Sequence, residues 1–174
     1  MTVVIPESVS AQGNVKALFV PAIEDPASGP TSAELEAATD IGRYLMPEWE
    51  GPSGEQNTGE DSRFYSTQTF TRLGRNTNSI AALSYTYKPQ GDDSGDANDA
   101  YDALAEGNIG FLVMGYGIDA ANDLKAGDVV DIYPVECGVQ NKATTGEDEF
   151  APLTVNQTLA VTGTAFKDVE LLGS

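Results

Sequence analysis

The sequence predicts a mainly β fold, a β-sandwich or barrel flanked by one or two short α-helices. Three observations carry that expectation. Apolar and polar residues alternate with a two-residue period at Leu83–Tyr87 and again over Leu153–Thr164. β-branched threonines crowd Thr67, Thr69 and Thr71, where pleated backbone suits them. Proline and glycine clusters recur between the apolar segments as turn chemistry.

Taken in order, residues 1–12 are polar and weakly patterned and read as an N-terminal arm that orders on a partner. Asn14–Ile23 reads as the first strand, closed by Pro21 and the turn residues Pro26, Gly29 and Pro30. Thr31 then opens a helix running to about Thr39, with Glu34 three residues on to complete a capping box. Asp40–Met46 reads as a second strand, followed by a loop that holds Trp49, the sole tryptophan. Glu55–Tyr87 reads as a pair of strands. In its first half Phe64, Ser66, Gln68 and Phe70 oppose Tyr65, Thr67, Thr69 and Thr71, and Leu73–Ser79 supplies the turn through Gly74, Asn76 and Asn78.

A second helix begins near Asp96 or Asn98, shows Ala97, Tyr101 and Leu104 at helical spacing, and ends toward Gly107. Ile109–Tyr116, Asp128–Gln140 and Leu153–Phe166 complete the strands. In the last of these Leu153, Val155, Leu159 and Val161 face a core while Thr154, Asn156, Thr158, Thr162 and Thr164 face water. One domain over residues 1–174 is expected, with extended loops at about 47–62, 89–97 and 141–152.

Composition narrows the chemistry. With no histidine, a serine or cysteine nucleophile of the histidine-activated kind is excluded. No glycine-lysine-serine phosphate loop is present, and no carboxylate pair stands out from the acidic background. No cofactor is called for. The lone Cys137 has neither a disulfide partner nor a zinc-binding companion and reads as a small buried residue on a strand. Gly115–Ala120 has the spacing of a dinucleotide fingerprint, but the segment before the next strand is too short for a parallel crossover, so it reads as a turn. Asp92–Asp99 resembles a calcium loop at first sight, yet Ala97 and Ala103 stand where that loop needs glycine and glutamate; a solvated acidic loop is the better reading.

No apolar run approaches the roughly 20 residues of a membrane span, and Met1–Pro6 lacks the features of a secretory signal, so synthesis in a cytoplasm without a membrane anchor is expected. The net charge of −18, from 27 acidic and 9 basic residues, repels phosphate backbones and argues against groove binding or sequence reading.

Several segments together resemble the major tail proteins, or tail tube proteins, of long-tailed phages, especially those of actinobacterial hosts. They are Asp40–Leu45, Ser66–Phe70, Gly74–Ser79, Tyr87–Gln90 and Asp128–Gly138. The resemblance implies a β-sandwich of the tail-tube type with a flanking helix, assembled with copies of itself into hexameric rings whose strands join one closed inner barrel. Stacked rings would form the virion tail tube, built in the host cytoplasm. Its expected partners are the tape-measure protein, the tail terminator and distal tail proteins, and double-stranded DNA would pass without sequence-specific binding. The family supplies no catalytic residues. Ser84, Thr86, Thr154, Asn156, Thr158 and Thr162 are the candidate lumen-facing residues on this reading. The rival is a virion decoration protein or a carbohydrate- or protein-binding β-sandwich module, with Tyr44, Trp49 and Tyr65 as an aromatic platform.

Overall fold

The computed structural model describes residues 6–90, 95–144 and 149–172. Strands take up 41% of the chain and helical turns 10%, which makes the class mainly β, as the alternation predicts. The first five residues of the expected arm, and Asp92, Asp93 and Ser94 of the calcium-like run, lie outside the described residues.

The centre is an antiparallel six-stranded sheet. β1 (Val15–Val20) pairs with β6 (Ile109–Tyr116), and β6 pairs with β7 (Val129–Cys137). The two-residue β2 (Thr39–Asp40) borders β1 at one edge. At the other edge β10 (Leu159–Val161) and β11 (Phe166–Glu170) both pair with β7, each along a different part of it.

Both faces of this sheet are covered. Ala17, Phe19, Leu112, Met114, Tyr133, Val135, Cys137 and Leu159 point into one core, shared with Leu83 and Tyr85 of β5 (Leu83–Thr86), Val155 of β9 (Thr154–Gln157) and Ala100 of α2 (Asp99–Ala103). The intervening positions Leu18, Val20, Val113, Val130 and Ile132 form a second core, closed by Leu171 and by Leu35 of α1 (Ser32–Glu36). Continuous burial of β1 from Ala17 to Val20 follows from this, since alternate residues serve opposite cores. Cys137 lies buried in β7, as expected.

β9 joins β5 on one side and β8 (Asn141–Lys142) on the other in a separate three-stranded sheet. The capping box at α1 forms as predicted: the Glu34 amide donates to Thr31 Oγ1, and the Thr31 amide donates to Glu34 Oε2 at 2.7 Å. The Thr31 amide, with the Glu24 amide and the Thr31 hydroxyl, holds the Glu34 carboxyl below its ordinary range. Of Gly115–Ala120, the first two residues close β6 and the rest begin the connection to antiparallel β7, with Gly117 at φ 75°, so no parallel crossover follows.

Four expectations need correction. Asp40–Met46 is not one strand: after β2, Ile41–Arg43 form a 3-10 turn, and only Leu45 returns to pleated pairing, in an isolated antiparallel bridge to Tyr85. Leu73–Ser79 is not a turn either. It lies inside β4 (Phe70–Ile80), which pairs with β3 (Pro52–Asp61) in a long two-stranded ribbon. Part of the loop expected at 47–62 is therefore strand, and the chain reverses through residues 62–69. There Arg63 pairs with Asp61, and the Ser66 hydroxyl donates to the Gln68 carbonyl, while the expected Phe64–Phe70 alternation does not form a ladder. Gly74 is used instead for close approach at a bulge, where an added Cβ would meet the Asn57 carbonyl at 3.3 Å.

The last predicted strand is in fact three. It breaks at Thr158, where the chain leaves the three-stranded sheet for the six-stranded one, and Leu153 is 56% exposed instead of core. Finally, Asn98 does not cap α2; its side chain clasps the backbone N–H and C=O of Lys88.

The break at Thr158 is held by Gln157, which is 1% exposed on the core row of β9. Its amide donates to the Leu104 and Gly138 carbonyls, both at 2.8 Å, and its carbonyl accepts from the Tyr85 hydroxyl at 3.0 Å. Gln140 donates to the same hydroxyl at 2.9 Å. Gln157→Leu should lower stability by about 1–3 kcal/mol, because buried carbonyls lose their donors; a urea midpoint equal to that of the parent would refute it. Burial also pushes the Tyr85 phenol up to about 12. Its folded value is raised, so its contribution is present below the ordinary value near 10 and is lost as pH rises toward 12. Tyr85→Phe should therefore flatten the alkaline fall in stability, measured by denaturation at stepped pH.

Candidate assembly surfaces

The strand register decides what the predicted polar residues share. Ser84 lies opposite Asn156, and Thr86 opposite Thr154, while Asn141 of β8 also faces Asn156. Their neighbours Leu83, Tyr85, Val155 and Gln157 are buried, so Ser84, Thr86, Thr154 and Asn156 stand together on the outer face of the three-stranded sheet. That face carries hydroxyls and amides without a formal charge. Thr158 and Thr162 are exposed but do not belong to it. Thr158 is the switch residue, its carbonyl accepting from the Gly138 amide, and the Thr162 amide donates to Pro134 beside the other sheet.

The two edges of the three-stranded sheet differ. Beyond β5, residues 44–46 complete the hydrogen bonding, with the Met46 amide donating to Ser84 and the Thr86 amide to Tyr44. Beyond β8 no further strand pairs among the described residues. β8 is braced from the side: the Lys142 ammonium lies 4.9 Å from the Tyr87 ring, and Tyr87 stacks on Tyr101 of α2 with centroids 4.4 Å apart. An open, polar, short edge of this kind is a place where another chain's strand can add.

The aromatic platform expected of a binding module is not assembled. The Tyr44 hydroxyl donates to the Asp96 carbonyl, and the Trp49 indole donates to the Ala81 carbonyl at 2.9 Å, both rings packing against the main core. Tyr65 stands apart at the ribbon tip.

The sequence reading expected a pair of strands over Glu55–Tyr87 but misplaced their turn, and it did not foresee that the pair would stand free as a ribbon. Among the described residues β3 and β4 pair only with each other, and nearly every residue from Ser53 to Ser79 is exposed on both faces. Phe64 and Tyr65 at the tip are 95% and 97% exposed, meeting edge to face. The ribbon carries Glu55, Glu60 and Asp61 against Arg63, Arg72 and Arg75, a balance of zero, so the whole net charge of −18 rests on the remainder of the chain. At the tip one carboxylate, Asp61, serves both Arg63 and Arg72. This local charge balance was the signal available in the sequence.

A cleft of about 560 Å³ lies beside β2, under α1. Leu18, Leu35 and Leu124 give it an apolar floor. Lys16, only 3% exposed, anchors one wall by its ion pair to Asp40 at 3.1 Å, and Arg43 approaches the same carboxylate oxygen at 3.3 Å. Glu36, Asp99 and Asp123 also line the cleft and form no ion pair among the described residues.

A polar sheet face, a strand edge unpaired among the described residues and a solvated ribbon are the surfaces this fold leaves uncovered. A sequence model of the family described as Phage tail tube protein matches residues 2–172. The chain belongs to that family, which is structural and not enzymatic, and is thereby a structural protein of the phage tail. No curated relative matches the chain. Among solved structures it is similar to a chain of the anti-feeding prophage (AFP) baseplate, whose structure was determined by cryo-electron microscopy and 6-fold symmetrised. The TM-score is 0.51 at 10% identity, covering 97% of this chain and 100% of that one, a likeness of fold.

A two-stranded ribbon with both faces in water is marginally stable by itself. Limited trypsin digestion of the isolated chain should therefore cut first at Arg63, Arg72 or Arg75, as read by mass spectrometry; first cuts at Lys16 or Arg43 would contradict this.

Proposed function

We propose that this chain is a tail tube subunit, one domain over residues 1–174, that assembles into hexameric rings stacked as the conduit for DNA ejection. The observation that carries the reading is the outer face of β5, β9 and β8, a sheet surface of hydroxyls and amides bounded at β8 by an edge that no strand among the described residues pairs. Turned inward and continued from copy to copy, such a face becomes a closed, polar wall, and ring closure removes the edge. Ser84, Thr86, Thr154 and Asn156 face the lumen on this reading, and Thr158 at the strand switch and Thr162 beside the six-stranded sheet would reach it from outside that face. The family membership and the sixfold symmetry of the baseplate that contains the structural neighbour support it.

Uncharged hydrogen-bonding groups on the wall, within the field of a chain of net charge −18, give passing double-stranded DNA nothing cationic to hold. Tape-measure, terminator and distal tail proteins would meet the tube along its lumen and at its ends. Assembly would take place in the host cytoplasm, the resemblance pointing to an actinobacterial host.

Negative-stain images of the concentrated protein should show tubes of sixfold rings; particles that stay monomeric under all nucleating conditions overturn the reading. Asn156→Cys should react with a bulky maleimide in the monomer and be shielded after assembly, with unchanged labelling counting against the lumen placement. Native Cys137 gives little background, being buried with its thiol pushed up to about 11.

A further inference from the structure

We propose that Lys142, its ammonium laid over the stacked rings of Tyr87 and Tyr101, is a positioning residue that holds the β8 edge in place for the strand of another chain. The inference rests on the tube reading for the identity of that chain, and goes beyond it in naming what prepares the edge.

β8 is two residues long and meets β9 through two residue pairs, Asn141 with Asn156 and Lys142 with Val155. The Ala143 amide adds one bond to the Thr154 carbonyl at 2.9 Å. So short an edge has little backbone pairing to keep it against the sheet. A strand arriving from outside binds more weakly to an edge that it must first order.

Side chains supply what the ladder lacks. On one side of Asn141 the Gln140 amide donates to the Tyr85 hydroxyl at 2.9 Å and to the Tyr101 carbonyl at 2.8 Å. On the other side the Lys142 ammonium lies 4.9 Å from the centre of the Tyr87 ring and 5.6 Å from that of Tyr101. Both clamps reach Tyr101, so they tie the edge to α2. Asn141 between them stays in the outer row with Asn156 and Ser84.

A lysine on an edge strand ordinarily guards that edge against pairing, because an added strand must crowd or desolvate the ammonium. Here the pleat sets Lys142 opposite buried Val155, and the two rings take up its charge on the helix side. The Tyr87 side chain first, and then Tyr101, keeps Lys142 protonated above its ordinary range. The cation that would guard the edge thereby becomes its brace, and the outer row remains uncharged.

The test compares full-length parent with Lys142→Met, which keeps a long stem without charge, and Lys142→Arg, which keeps a cation able to stack on the rings. In the unassembled chain, hydrogen exchange at the Ala143 amide should quicken about threefold in Lys142→Met, the scale of one exposed cation–π contact, and stay at the parent rate in Lys142→Arg. Tyr87→Leu should quicken it likewise, and adding Lys142→Met to Tyr87→Leu should bring little more. Circular dichroism checks the fold of each variant, and the two Lys142 substitutions carry the test if Tyr87→Leu does not fold. Equal exchange in parent and Lys142→Met, or Lys142→Arg as fast as Lys142→Met, overturns the brace. In assembly, Lys142→Met should need about threefold more protein than the parent to form tubes. Tubes forming at the same concentration overturn the role in strand addition and leave the tube reading standing. A parent that shows the exchange pattern yet never forms tubes upholds the brace on β8 and removes the tube reading.

Discussion

The side chain of Gln157 is the joint on which the two sheets depend. It occupies a core-facing position where the pleat would otherwise place an apolar residue, and it feeds donors to Leu104 in the turn after α2 and to Gly138 just past β7. Its carbonyl accepts from Tyr85 of β5. Three separate segments converge on one amide, at the residue before the chain crosses from one sheet to the other. An aliphatic side chain there would fill the space yet leave the Leu104 and Gly138 carbonyls without those donors in a low-dielectric interior, so the polar group specifies where the crossing happens. The crossing is tight as well: a Cβ on Gly138 would stand 2.7 Å from the Thr158 carbonyl, which the Gly138 amide binds at 2.9 Å. No buried side-chain nitrogen or oxygen among the described residues lacks a partner.

Once that joint is set, the division between covered and open surface follows. The six-stranded sheet spends both faces inside the molecule, under the three-stranded sheet and α2 on one side and α1 with Leu171 on the other. The three-stranded sheet spends only its inner face, leaving Ser84, Thr86, Thr154 and Asn156 outside. The ribbon spends neither. Surfaces left for other molecules are therefore a consequence of how many apolar rows each strand carries: two for β1, one for β5 and β9, and none for β3.

The same count explains what could be read from the sequence. Alternation at Leu83–Tyr87, the capping box at Thr31 and Glu34, and the outer row Thr154 and Asn156 are local signals whose outcome is local, and they appear where expected. The ribbon was misread because glycine and asparagine at positions 74–78 are turn residues in isolation, whereas here cross-strand pairing from Pro52–Ile80 to Asp61–Phe70 overrides them. With no core to face, β3 leaves no apolar period to detect. Asp40–Met46 went wrong for a tertiary reason, since Asp40 is drawn toward Lys16 across the sheet edge and Ile41 is fully buried. The break at Thr158 is equally non-local: Val155 and Leu159 keep the same parity through it, so nothing in the alternation marks the change of sheet.

Charge adds the last step. A uniformly acidic chain would resist its own assembly as strongly as it resists DNA, and both effects would come from the same field. The sequence separates them. Its acids are concentrated outside the ribbon, while three of the arginines sit on the ribbon and bring that segment to zero. The outer face of β5, β9 and β8 carries no formal charge at its paired positions, and so neither repels a neighbouring strand nor binds phosphate. In the proposed tube, contacts between copies run through neutral or locally basic elements, and the remaining negative field keeps nucleic acid in motion. On the proposed tube reading, a neutral ribbon and an uncharged sheet face would let copies of the chain approach one another while the acidic remainder repels nucleic acid.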